Sequence, residues 1–320
     1  MNEQLLSLLD QPAELEKLYR KNKTAFTRSF TELYPSIKGN PIADAWYERL
    51  HFEADGVQWG TKSDWLFILI AAAIAGTFAK FPTLFAIEEG FFYSRNLGFV
   101  VFPFLYAYFI RKNSLPLSAV LVPLITTLLA VGYINFLPKS ETSDTLILAC
   151  IHLPLFLWGM LGFVYSGANL KDLGKRLSYL NYNGETILVG GILLLAGGLL
   201  TGITIPLFGL IGVSIEDFYF QYIAVYGLAA APLLATLITQ TNPELVNKVP
   251  PIVAKIFSPL VLLMLLSYLV AIVFAGKDPY NDRDFLLLFN LLLIGVMALI
   301  FFSVAESYSE KKVGYMTWIL

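Results

Sequence analysis

The chain holds 320 residues, of which 57% are hydrophobic, 15% aromatic and only 14% charged, with a formal net charge of −2. That balance belongs to integral membrane proteins, so a lipid bilayer is the first expected partner. The 22 basic residues form no stripe, which excludes a nucleic-acid interface on electrostatic grounds. A single cysteine, Cys150, excludes an intramolecular disulfide and a cysteine-rich metal site.

Residues 1–62 read as a small soluble helical region, since 17 of the 46 charged residues fall there. Asp10 or Gln11 is a candidate cap, Pro12 sits in a first turn, and Leu15, Leu18 and Tyr19 share one face. Phe26, Phe30 and Leu33 repeat the spacing, and Trp46 with Leu50 marks a third short helix after Pro41. The region lacks the basic-then-apolar layout of a cleavable signal, so the first span is expected to direct insertion. A cytoplasmic protein partner for residues 1–62 is one reading; packing of the region on itself is the other.

From Trp65 onward eight apolar segments can each cross about 30 Å of hydrocarbon, and each must be helical to satisfy its own backbone. They lie at 65–86, 91–110, 115–137, 145–166, 187–211, 219–239, 252–275 and 285–305. With the N-terminus inside, 17 basic residues fall on the inner side and 5 on the outer, the direction the positive-inside rule requires. The expectation is an all-α, multi-pass membrane protein with both termini cytoplasmic. A linker at 169–184 and a tail at 309–320, or the start of a further helix, complete the division.

Self-similarity divides the spans into halves. "IEEGFFYSRNLGFVVFPFLYAYF" from Ile87 has a counterpart in "IEDFYFQYIAVYGLAAAPLLATL" from Ile215, and "KSETSDTLILACIH" from Lys139 in "KDPYNDRDFLLLFN" from Lys277. Helices one to four (63–168) therefore resemble helices five to eight (185–308), and an even number of spans per copy makes the repeats parallel, an arrangement found in transporters.

The even-numbered spans each start with acid: Glu88 and Glu89, Asp144, Glu216 and Asp217, Asp282 and Asp284. First-turn carboxylates satisfy free N–H groups and complement the helix dipole. The functional alternative is an outer vestibule that attracts a cation. "DPYNDRD" lacks the glycine and terminal glutamate of a calcium loop, so no metal is assigned, and no cofactor motif is present. Ionisable and polar groups inside spans default to functional candidates. Lys80 is read as pairing with Glu88 or reaching outward, His152 as a proton carrier or a hydrogen-bonded bundle residue, and Asn290 as its repeat partner. Gly198 and Gly202 have the spacing of closely packed membrane helices. Pro103 and Pro232 are paired kinks. The chain lacks recognised catalytic motifs, so no catalytic residue is assigned.

"LGFVVFPFLYAYF", "IHLPLFLWGMLGFVYSG" and above all "DRDFLLLFNLLLIGVMALIFFSVAE" resemble the bacterial polytopic membrane-protein family of unknown function DUF4153 over roughly residues 65–320. The resemblance implies a bacterial inner-membrane protein and carries no catalytic residues; further helices are expected beyond "VGYMTWIL". Three functions follow: a transporter-like protein or solute and ion sensor with a polar mid-membrane cavity lined from both halves; a scaffold or signalling protein working through its N-terminal helices; and an intramembrane enzyme acting on lipid or envelope precursors.

Overall fold

The computed structural model describes residues 2–51, 59–139, 143–242, 249–275 and 283–310. Among them every regular element is a helix. The chain divides into two units, Met1–Gly56 and Val57–Leu320.

The first unit holds four helices: α1 (Asn2–Ser7), α2 (Pro12–Lys21), α3 (Lys23–Ile37) and α4 (Pro41–His51). Their ends are written into the local sequence. Pro12 opens α2 with Glu14 in its first turn and Arg20 and Lys21 in its last, matching the dipole at both ends. Gln11, one of the two expected caps, takes the cap position without a side-chain bond. Asn22 Oδ1 accepts from the Ala25 N–H at 3.0 Å, and Asn40 Oδ1 from Ile42 at 2.9 Å, so two asparagines start the next two helices. The helical spacing places Leu15, Phe26, Phe30 and Trp46 in one buried core with Leu5, Leu9 and Ala43.

The second unit holds α5 (Lys62–Ala79), α6 (Phe81–Phe85), α7 (Glu89–Asn113), α8 (Leu117–Phe136), α9 (Asp144–Tyr165) and α10 (Leu173–Leu210). After these come α11 (Glu216–Phe218), a π-helix (Tyr219–Ala224) running into α12 (Val225–Thr241), then α13 (Val249–Ala275) and α14 (Arg283–Glu310). Among the described residues six helical runs are long and apolar enough to cross a membrane: α5, α8, α9, α10, Glu216–Thr241 and Ile252–Phe274. Sequence reading expects eight. Of the other two, α7 is long enough but interrupts its apolar text with Arg95 and Asn96, and the apolar stretch of α14, Phe285–Ala298, is shorter than a span. Leu128, Leu129, Phe136, Leu199 and Phe274 lie exposed on these helices, as side chains solvated by lipid would.

Two expected boundaries move. The segment 65–86 breaks at Lys80, because Pro82 has no N–H to continue α5 and its ring would meet the preceding turn; α6 then ends at left-handed Ala86. The linker 169–184 is helical from Leu173 onward, started by Asp172, whose Oδ1 accepts from the Lys175 N–H at 3.2 Å. The 38-residue α10 is therefore about 57 Å long.

Close helix contacts fall at three glycines. A Cβ on Gly76 of α5 would lie 2.8 Å from two ring carbons of Tyr226 on α12, one on Gly98 of α7 2.8 Å from Leu157 on α9, and one on Gly162 of α9 2.9 Å from Tyr179 on α10. Hydroxyls fasten the same seams: Tyr226 to Thr77 at 3.0 Å, Tyr106 to the Leu157 carbonyl at 2.7 Å, and Tyr179 to the Trp158 carbonyl at 2.6 Å. Gly198 and Gly202 depart from expectation. Nothing lies within 4 Å of a Cβ built on either, so they are not a packing face. Small residues permit close approach, but a neighbouring helix must be there to make it.

Candidate functional site

The sequence-predicted acids stay at their own helix starts. Glu88 occupies the cap position of α7 but makes no side-chain cap bond; its carboxylate is ion-paired with Lys139 instead. Glu89, Asp144, Glu216 and Asp217 are exposed in first turns. The cap of α9 is Ser143, whose hydroxyl accepts from the Leu146 N–H at 3.4 Å, so the cap expected of Asp144 falls one residue earlier. Asp282 lies outside the described residues, and of Asp284 only the backbone, in α14, is described. Among the described residues no group of three His, Cys, Asp or Glu side chains could hold a metal ion.

The polar residues expected inside spans differ in their surroundings. Lys80 is 5% exposed and does not pair with Glu88. The break after α5 turns its ammonium onto the π-helix, 3.2 Å from the centroid of the Tyr222 ring, a cation–π contact. His152 is exposed on α9, with Nδ1 2.7 Å from the Leu148 carbonyl one turn back, so its hydrogen bond stays within its own helix. Asn290 is exposed on α14.

The most constrained charge among the described residues is Arg95, one of the five basic residues expected on the outer side. It is 3% exposed on α7. Its Nη1 donates to the Ile134 and Leu137 carbonyls at 2.6 and 2.7 Å, its Nη2 to Pro138 at 3.2 Å, and its plane stacks on Phe91 at 4.3 Å. These are the last carbonyls of α8 and the residues just beyond, which have no helical partners and form the negative end of the dipole. One residue on, the Asn96 and Asn135 amides exchange two bonds at 2.9 and 2.8 Å. A buried charge and a half-buried amide pair thereby lock α7 to the end of α8.

The second feature without a sequence signal is an apolar cavity of about 700 Å³ in the second half of the unit. Leu193, Gly197, Gly198 and Thr201 of α10 form one wall, Tyr219 and Ile223 of the π-helix another, and Ile256 and Leu260 of α13 a third. The unpacked glycines open it. Its polar edge is a hydroxyl pair, Thr201 Oγ1 with Tyr219 at 3.1 Å. The π-helix widens the turn here, a distortion often found at functional sites. This cavity differs from the expected one in two respects: its lining is apolar, and its walls come from one half of the chain.

Comparison with protein-family models, with curated proteins and with solved structures finds no match for the chain.

Proposed function

We propose that the chain is a multi-pass bacterial inner-membrane protein of the transporter-like or solute-sensing class, and that its solute is apolar. The observation that carries this reading is the cavity among α10, the π-helix and α13. Its volume of about 700 Å³ falls within the roughly 300–1,000 Å³ of small-molecule sites. An apolar wall with one hydroxyl pair suits an alkyl chain or a compact hydrophobe and offers little to an ion, whose desolvation it would not offset.

In this reading α7 and α14 also cross the membrane, giving eight spans, with both termini cytoplasmic as the basic-residue bias favours. The bonded state of Arg95 and Asn96 supports counting α7, because three of the five Arg95 donors and both sides of the Asn96 amide are met by protein. A parallel repeat is supported by recurrent neighbours: α5 packs on α7 as α10 does on α12, and α8 on α9 as α13 does on α14. The halves differ in their central helix, α7 in the first and α10 in the second. The resemblance to DUF4153 belongs to the same proposal.

The test is photolabelling of the full chain in lipid nanodiscs with a diazirine-bearing fatty acid, adducts being mapped by peptide mass spectrometry. Adducts are expected on the Leu193–Thr201 and Tyr219–Tyr226 stretches. They should vanish in Gly198→Phe, which fills the cavity, and persist in Gly191→Phe, where a side chain meets open space outside it. Equal labelling of both variants refutes the reading.

A further inference from the structure

A second cleft, of about 630 Å³, opens between the start of α7 and α9, and it lies apart from the apolar cavity. Its polar lining is Glu88, Ser94, Arg95 and Lys139. The formal charges sum to +1.

Arg95 is the informative member. A guanidinium carries five N–H donors. Three of them are spent on the carbonyls of Ile134, Leu137 and Pro138, at and just beyond the end of α8, leaving Nε–H and one Nη2–H with no protein acceptor among the described residues. No carboxylate pairs with it there either. A guanidinium 3% exposed, held rigid by three carbonyls and a phenyl face, facing a cleft and without a carboxylate partner among the described residues, is costly unless something compensates it. Beside it Lys139 is paired, among the described residues, with Glu88, in an ion pair whose two side chains are more than 60% exposed and therefore readily exchanged.

We infer that this cleft binds a phosphate group, with Arg95 as the fixed donor, Lys139 as the mobile one, and Glu88 as an internal anion that the phosphate displaces. The planar fork of arginine suits a tetrahedral oxyanion, and Ser94 stands in the same wall to donate a further bond. The group could arrive as the headgroup of an anionic phospholipid or as free inorganic phosphate, since the chemistry is shared.

Two substitutions separate this from a structural role. Lys139→Gln and Glu88→Gln break the same ion pair, so a merely structural pair predicts similar effects from both. Phosphate binding predicts opposite ones: Lys139→Gln removes a ligand, whereas Glu88→Gln removes a competitor. The full chain in a non-ionic detergent is titrated at constant ionic strength with sodium phosphate and, separately, with phosphatidylglycerol, with phosphatidylcholine as the uncharged control; thermal unfolding is the readout. The parent should show a saturable rise in midpoint. Half-saturation should come about tenfold later in Lys139→Gln, the effect of losing one charge-assisted contact, and earlier in Glu88→Gln. Saturation by inorganic phosphate identifies a free-anion site, and saturation by phosphatidylglycerol alone a headgroup site. Absence of saturation by either, or a shift of both variants in one direction, overturns the inference.

Discussion

Gly76→Ala and Gly198→Ala are the same chemical change in two apolar helices, and the structure separates their consequences. At Gly76 the new methyl lies 2.8 Å from two carbons of the Tyr226 ring, where ordinary carbon contacts are about 3.5–4.0 Å. A third ring carbon, Cδ1, lies nearer still, so the ring must retreat by about 1.5 Å to restore that contact. Its hydroxyl is held 3.0 Å from Thr77 Oγ1, one residue along α5 from the glycine, so the retreat also strains that bond. Overpacking of this kind costs about 1–3 kcal/mol, and a lost hydrogen bond about 1 more. At Gly198 nothing lies within 4 Å of the added methyl. Both substitutions gain the same helix propensity, about 1 kcal/mol, which cancels in the comparison. Gly76→Ala should therefore be less stable than Gly198→Ala by about 1–4 kcal/mol. The assay is unfolding of the full chain in mixed micelles by increasing sodium dodecyl sulfate, followed by tryptophan fluorescence. Coincident transitions, or Gly198→Ala unfolding first, would refute the assignment of Gly76 as the α5–α12 contact.

The Asn96–Asn135 amide pair should behave as a unit: either alanine substitution strands a partner at a cost of about 1–3 kcal/mol, and the double variant should lose less than the sum in the same unfolding assay. In the N-terminal unit, Glu16 is held below the ordinary glutamate range, first by its hydrogen bond from Arg20, at 2.8 Å, and then by Arg49. A lowered folded-state pKa means a contribution fully present at neutral pH and lost as pH falls through that lowered value. Glu16→Gln should accordingly separate from the parent above pH 5 and converge with it in strong acid, in denaturant titrations followed by circular dichroism. A separation that grows as pH falls would show the sign to be wrong.

The sequence made legible what is set locally. The faces of Leu15, Phe26, Phe30 and Trp46 follow from helical spacing, and all four are buried together. The apolar runs are helices because lipid leaves the backbone no alternative. The break in the first span had its cause in view, Pro82. What is set at long range was not legible. The carbonyls that hold Arg95 lie 39, 42 and 43 residues further on, and no local pattern joins them to it. Gly98 and Gly198 look alike as letters, yet one meets Leu157 and the other open space. The π-helix at Tyr219 has no motif, since an extra residue in a turn is a compromise among neighbours. The charged stretch at 276–282 lies outside the described residues.

The uninterrupted length of α10 has a mechanical consequence. Its middle, at Gly197 and Gly198, walls the apolar cavity, while Tyr179 and Tyr182 near its start sit in the aromatic core against α7, α9 and α12. About 25 Å of continuous helix joins the two, with no proline or turn between them. A rod has no joint at which to absorb a displacement. An occupant that tilts α10 at the cavity must therefore also move Tyr182 against Thr236 and Tyr179 against Trp158, so that the state of one end can be read at the other.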